Sequence, residues 1–143
     1  MATTTATISL SSDLLSNAMS VSGSTTCMKA GSSSTGLEQM EVGYLTLAKD
    51  TNKDLLNADN DSDVGNKLKG NKVYISNEST NESTYLIVTI DAIVVGRLYA
   101  GDWMFIPWAA EDATADLEIE AKEGDATISY AWFHEGRLLT SSL

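Results

Sequence analysis

Cysteine, proline and histidine occur once each in this 143-residue chain, and nine lysines and arginines face twenty acids. A lone Cys27 rules out an intrachain disulfide and a Cys-built metal cluster, so the core must hold by packing alone. The shortage of cations argues against binding nucleic acid, because phosphate recognition works by cations displacing counterions, and an anionic membrane would repel the chain too. The formal net charge is −11, and the acids run throughout the chain instead of collecting in a tail, which predicts a strongly negative surface. No hydrophobic run approaches the length of a membrane span. Met1-Ala2-Thr3-Thr4-Thr5 has neither the basic start nor the apolar stretch of a signal peptide, so synthesis in a cytoplasm without export is expected. The triplets beginning at Asn60, Asn77 and Asn81 fit the glycosylation pattern, but without that signal they read as ordinary polar loop residues.

Aromatics are scarce in the first half: nine of ten lie between Tyr74 and Phe133. What fills the start instead is hydroxyl, since seventeen of the first 35 residues are Ser or Thr. Such a segment buries too little apolar surface to order itself, yet alternations such as Thr7-Ile8-Ser9-Leu10 suit a strand docked on something else. Residues 1–36 are therefore expected to form an extended Ser/Thr-rich arm or edge strands, with one helical turn over 13–19, and residues 37–143 a separate domain. Within that domain, 37–47 reads as a strand with an irregularity near Gly43, and 50–70 as a polar loop. Turn signals then come at short intervals, at 69–71, 77–84, 100–102, 123–125 and 134–136. They bound strand-length segments at 72–76, 84–90, 93–99, 102–108, 116–121, 126–133 and 137–140. Short strands punctuated by Gly and Asn turns, with no long amphipathic helix, predict an all-β protein: an antiparallel β-sandwich, jelly-roll-like.

Two segments stand out by their faces. In 116–121, Leu117, Ile119 and Ala121 alternate with acids, the ordinary pattern of one wet face. In Trp103-Met104-Phe105-Ile106-Pro107-Trp108 both faces are apolar: Trp103 and Phe105 on one, Met104, Ile106 and Trp108 on the other. A two-layer domain covers only one face of a strand, so the second cover must be the arm or another chain. Residues 84–90 are likewise apolar on both faces, and Pro107 marks an edge or strand end because it cannot donate to a ladder.

Catalytic chemistry finds little footing. His134, within Phe133-His134-Glu135-Gly136-Arg137, reads as an exposed hairpin-turn residue with no partner set. Cys27 has no neighbouring His to stabilise a thiolate and reads as a small buried residue. Asp50, Asn52 and Asp54, with Asp59, Asp61 and Asp63, alternate oxygen ligands as a Ca²⁺ loop does. Leu55, however, stands where the loop needs Gly and Asp61 where it needs Glu, so a solvated acidic loop is the favoured reading. Tyr99, Trp103, Phe105, Trp108, Tyr130, Trp132 and Phe133 would suit a sugar-stacking platform, but aromatics dominate cores and subunit interfaces more often.

The runs Lys72-Val73-Tyr74-Ile75-Ser76-Asn77, Leu98-Tyr99-Ala100-Gly101-Asp102 and Ile106-Pro107-Trp108, Asp116-Leu117-Glu118-Ile119, and Ile128-Ser129-Tyr130-Ala131-Trp132-Phe133 carry a resemblance. Over residues 70–135 the chain looks like a group of small tailed-bacteriophage virion proteins. The resemblance implies a β-sandwich component of the particle, either a capsid decoration (cement) protein or a small tail, neck or fibre-adaptor component, without catalysis. The first 65 residues show no such match. The expectation is thus a non-enzymatic, cofactor-free and metal-free protein on the outer surface of a capsid, made in the host cytoplasm. It would bind the major capsid protein or other virion proteins and form a homo-oligomer such as a trimer. A glycan-binding module is the alternative from a different class. The residues expected to carry binding are Tyr99, Trp103, Phe105 and Trp108, with Thr7, Ile8, Ser9 and Leu10 as a docking strand.

Overall fold

A computed structural model describes residues 3–12, 19–28, 36–60, 69–110 and 112–136. Ten strands follow one another: β1 (Thr3–Ser12), β2 (Met19–Met28), β3 (Gly36–Leu47), β4 (Asn52–Leu56), β5 (Lys69–Asn77), β6 (Tyr85–Ile90), β7 (Ile93–Tyr99), β8 (Trp103–Trp108), β9 (Leu117–Lys122) and β10 (Ala126–Gly136). A short 3-10 turn, Ala58–Asn60, is the one helical element among the described residues. The strands expected at 137–140 and the helical turn at 13–18 lie outside them.

The protein is a β-sandwich. Two antiparallel four-stranded sheets, ordered β3-β10-β5-β8 and β4-β9-β6-β7, face each other, and β1-β2 forms a third, two-stranded sheet. Pairing is nested: β3 with β10, β4 with β9, β5 with β8 and β6 with β7, as in one long ribbon folded over on itself. Between the sheets, alternate residues of each strand meet in a core that includes Val73, Ile75, Leu86, Val88, Leu117, Ile119 and Ile128, all fully buried. The alternation read in 116–121 holds in β9, where Leu117, Ile119 and Ala121 point inward and Glu118 and Glu120 outward.

Several expectations change. The 50–70 loop contains β4, paired to β9 from Asn52 opposite Glu120 to Leu56 opposite Leu117, with Leu55 and Leu56 buried. The polar run failed to announce a strand because β4 is an edge whose first three residues are exposed. The irregularity in β3 falls near residue 38, where the register with β10 shifts between His134 and Glu135, and Gly43 pairs regularly with Tyr130. Gly43 serves close approach instead, because a Cβ there would lie 2.7 Å from the Tyr130 ring. The tyrosine lies across the bare glycine and donates to Glu41 Oε1 at 2.6 Å. Residues 134–136 are no turn: β10 continues through them.

His134 is fully buried on the inner face, and its Nδ1 lies 2.8 Å from Asn71 Oδ1, which also accepts from Trp132 Nε1 at 2.7 Å. An amide oxygen only accepts, so the Nδ1 of His134 carries its proton in this bond. Asn77, read as a loop residue, is also fully buried. Its Nδ2 donates to the carbonyls of Leu98 (3.0 Å) and Thr84 (3.3 Å), and its Oδ1 accepts from the Ser79 amide, so one side chain ties β5 to both ends of the opposite hairpin.

Candidate binding face

The two sheets present different outer faces, and register shows why. Across the outside of β4-β9-β6-β7 run rows such as Asn52, Glu120, Ile87 and Arg97, and Asp54, Glu118, Thr89 and Val94. Lys122 donates to Glu120 at 2.6 Å and to Asp50 at 3.2 Å, and the bond to Glu120 above all holds its ammonium above the usual lysine range. Arg97 stands 5.2 Å over the Tyr85 ring, whose other neighbour is Tyr99 at 5.5 Å. The apolar second face of residues 84–90 is thus dressed by the stems of charged neighbours, which keep their heads in water.

The outside of β3-β10-β5-β8 is unlike it. One row reads Val42, Ala131, Tyr74, Phe105 and the next Tyr44, Ser129, Ser76, Trp103, with no charged residue in either. Tyr74 and Trp103 lie 6.3 Å apart at 33°. Val42 is 61% exposed, Tyr44 79% and Trp103 50%, whereas Phe133, on the same side of β10, is buried. Glu78 reaches the rim, accepting from the Ser129 hydroxyl at 2.8 Å.

Over this face lies the β1-β2 hairpin. Thr5, Thr7 and Ile8 close one side of a cleft of about 390 Å³ whose other side is Tyr74, Trp103, Phe105, Ala131 and Phe133. The N-terminal segment is therefore a hairpin laid on the sheet, paired from Thr3 opposite Met28 to Ser12 opposite Met19, instead of an added edge strand. The second cover that the two-faced segment 103–108 demanded is in part the protein's own arm.

The residues singled out for binding are divided by the fold. Trp103 and Phe105 share the aromatic face with Thr7 and Ile8, and Ser9 and Leu10 are exposed on β1. Tyr99 is on the outer side of the opposite sheet, stacked with Tyr85. Trp108 is a correction: it is 2% exposed, its indole donates to the Ala115 carbonyl at 2.8 Å, and its ring meets Trp132 edge-on at 6.2 Å. At the last position of β8 it points into the core, so no partner reaches it. Val42, Tyr44 and Tyr74 were missed. Their alternation was visible in the sequence, but only the pairing of β3 and β5 with β10 and β8 brings them into one surface with Trp103.

Asp50 is engaged by Lys122, Asn52 and Asp54 belong to β4, Asp59 sits in the 3-10 turn, and Asp61 and Asp63 lie outside the described residues. Among the described residues no group of three His, Cys, Asp or Glu is placed to hold a metal ion, and no helix is long and apolar enough to cross a membrane. His134 meets an amide and a tryptophan ring in the core. Cys27 stands in β2 opposite Thr4. No protein-family model matches the chain, and no curated protein matches it.

Proposed function

We propose that the protein is a non-catalytic assembly subunit of a virus particle, a capsid decoration or cement protein that stabilises contacts between shell subunits. The observation that carries this reading is the aromatic face of the β3-β10-β5-β8 sheet, two of whose rows hold no charged residue, exposed at Val42, Tyr44 and Trp103 on a protein of net charge −11. An acidic chain that leaves one face aromatic and nearly free of charge has a surface suited to burial against protein. The nested pairing supports reading the sandwich as a jelly roll, an architecture used by viral capsid and lectin domains alike. The resemblance over 70–135 favours the first of these, and the acidic opposite face suits the outside of a DNA-filled shell. A tail or neck address would use the same physics at lower copy number.

The experiment is addition of purified protein to shells that lack it. Many copies per shell and greater resistance to heat are expected. Trp103→Ala should weaken binding at least roughly thirty-fold, as for an aromatic anchor worth about 2 kcal/mol, while Ile87→Thr on the opposite face leaves it unchanged. Binding to tails with no effect on shells, or no binding to either, overturns the decoration reading. Tyr74 and Trp103 side by side also favour a second reading, a glycan-stacking surface. It predicts that the same Trp103→Ala variant loses retention on a sugar array while shell binding was never present.

A further inference from the structure

We propose that the β1-β2 hairpin is an exchange element: in the assembled protein it docks on the aromatic face of a second copy, and that copy's hairpin docks in return. The inference rests on the assembly reading above and names one partner, another molecule of this chain.

Three observations carry it. The first is chemical match. The twenty residues of β1 and β2 contain no charged side chain, in a chain that carries twenty acids; the rows through Phe105 and Trp103 beneath them contain none either, and the row through Phe133 carries one cation, Lys72, and no carboxylate among its paired residues Phe133, Lys72 and Pro107. Two copies each of net charge −11 can approach closely only where carboxylates are not brought together. The hairpin and its seat are such a place, whereas the opposite face presents Asp54, Glu118 and Glu120.

The second is a loose seat. The hairpin adds to neither four-stranded sheet. A two-stranded ribbon is marginal by itself and takes its stability from what it lies on. It leaves a cleft of about 390 Å³ beneath it, Leu10 53% exposed and Trp103 half exposed, so little packing has to be undone to release it. Val42 and Tyr44 of β3 remain open on the same face.

The third is the tether. Seven residues separate Met28 from Gly36, a contour on the order of 25 Å, enough for a hairpin to reach a neighbouring face. A seat that fits the hairpin of its own chain fits an identical hairpin equally, so exchange requires no new complementarity. Reciprocal exchange of an identical element is a low-cost route to an oligomer.

The test uses the full-length chain with Cys27→Ser. Thr7→Cys and Phe105→Cys, which line opposite sides of the cleft, are placed on two separately tagged chains that are produced together and treated with a short bifunctional maleimide. Exchange predicts a covalent heterodimer as the main product, unchanged on dilution before crosslinking, and none when Ile87→Cys on the opposite face replaces Phe105→Cys. In a single chain carrying both Thr7→Cys and Phe105→Cys, crosslinking should yield covalent dimers. Exclusive closure within single chains that still oligomerise and bind shells overturns exchange and leaves the assembly reading standing. A chain that is monomeric by solution mass, binds no shell and closes only on itself overturns both.

Discussion

Two polar side chains, Asn71 and Asn77, decide how the sandwich is stitched, and neither is on the surface. Asn71 Oδ1 accepts two buried donors, the Trp132 indole and the His134 imidazole. Replacing it with alanine strands both in a dry core, at roughly 1–3 kcal/mol for each orphaned donor. Chemical denaturation of Asn71→Ala should show that loss, with near-ultraviolet dichroism reporting a displaced Trp132. Asn77 presents the same logic in reverse: its amide serves two carbonyls on the opposite hairpin, and Asn77→Ala should destabilise the fold by about 2 kcal/mol or more. Asn81, the same residue in the second copy of Asn-Glu-Ser-Thr, is exposed and holds only Ser83. A repeated tetrapeptide hides this difference, because burial depends on what lies across the gap between sheets.

Tyr130 makes a pH-dependent contribution. Its hydroxyl donates to Glu41, and chiefly for that reason its pKa is pushed up to about 12, with burial and the carboxylate's charge adding to the effect. The folded state holds this proton more tightly than the unfolded chain, whose tyrosine titrates near 10. The contribution is therefore whole below pH 10 and is lost as pH rises through 12. Tyr130→Phe should flatten the fall in stability across that window relative to the parent, and ultraviolet titration of tyrosinate should lose its most alkaline component. An unchanged alkaline limb would mean that the bond to Glu41 does not persist in solution.

At the scale of elements, the β6-β7 hairpin is the least well-matched local sequence. Its two-residue turn puts Asp91 at φ 49° and Ala92 at φ 61°, the left-handed pair that such hairpins demand and that Asn-Gly usually supplies. Alanine there carries strain of about 1 kcal/mol. Ala92→Gly is expected to raise stability by up to about 1 kcal/mol, seen as a higher denaturation midpoint with an unchanged slope. The turn was legible only as a gap between two apolar runs. The strand at 116–121 was clear because its alternation is regular. β4 was not, because an exposed edge strand of Asn, Lys and Asp has the composition of a loop. The end of β10 was misread for the opposite reason: His134-Glu135-Gly136 has the composition of a turn, but pairing with β3 and β5 on both sides holds it extended.

At the scale of the molecule, the sequence displayed apolar residues on both sides of 103–108 and so foretold a second cover for that segment. It did not say which strands would share that outer face. Val42 and Tyr44 come to lie in rows with Tyr74, Phe105 and Trp103 only because β10 sits between β3 and β5. Trp108 could not be told from Trp103 by composition. One residue of parity between them sends the first into the core and the second to the surface. The similar strand at 85–90 is flanked on its outer face by Arg97, Glu120 and Lys122 from neighbouring strands.

The nesting of the ribbon sets an order of events. β10 is the latest of the described strands along the chain, yet it lies in the interior of its sheet, hydrogen-bonded to β3 on one side and β5 on the other. On the ribosome, β3 and β5 therefore wait with open edges until residues 126–136 emerge. The sheet that bears the aromatic face closes in one late step. Through that interval the uncharged hairpin lacks its seat as well, because Ala131 and Phe133 of β10 help to line the cleft it closes; a segment that precedes the sheet in the chain is thus bound to dock after the sheet is complete.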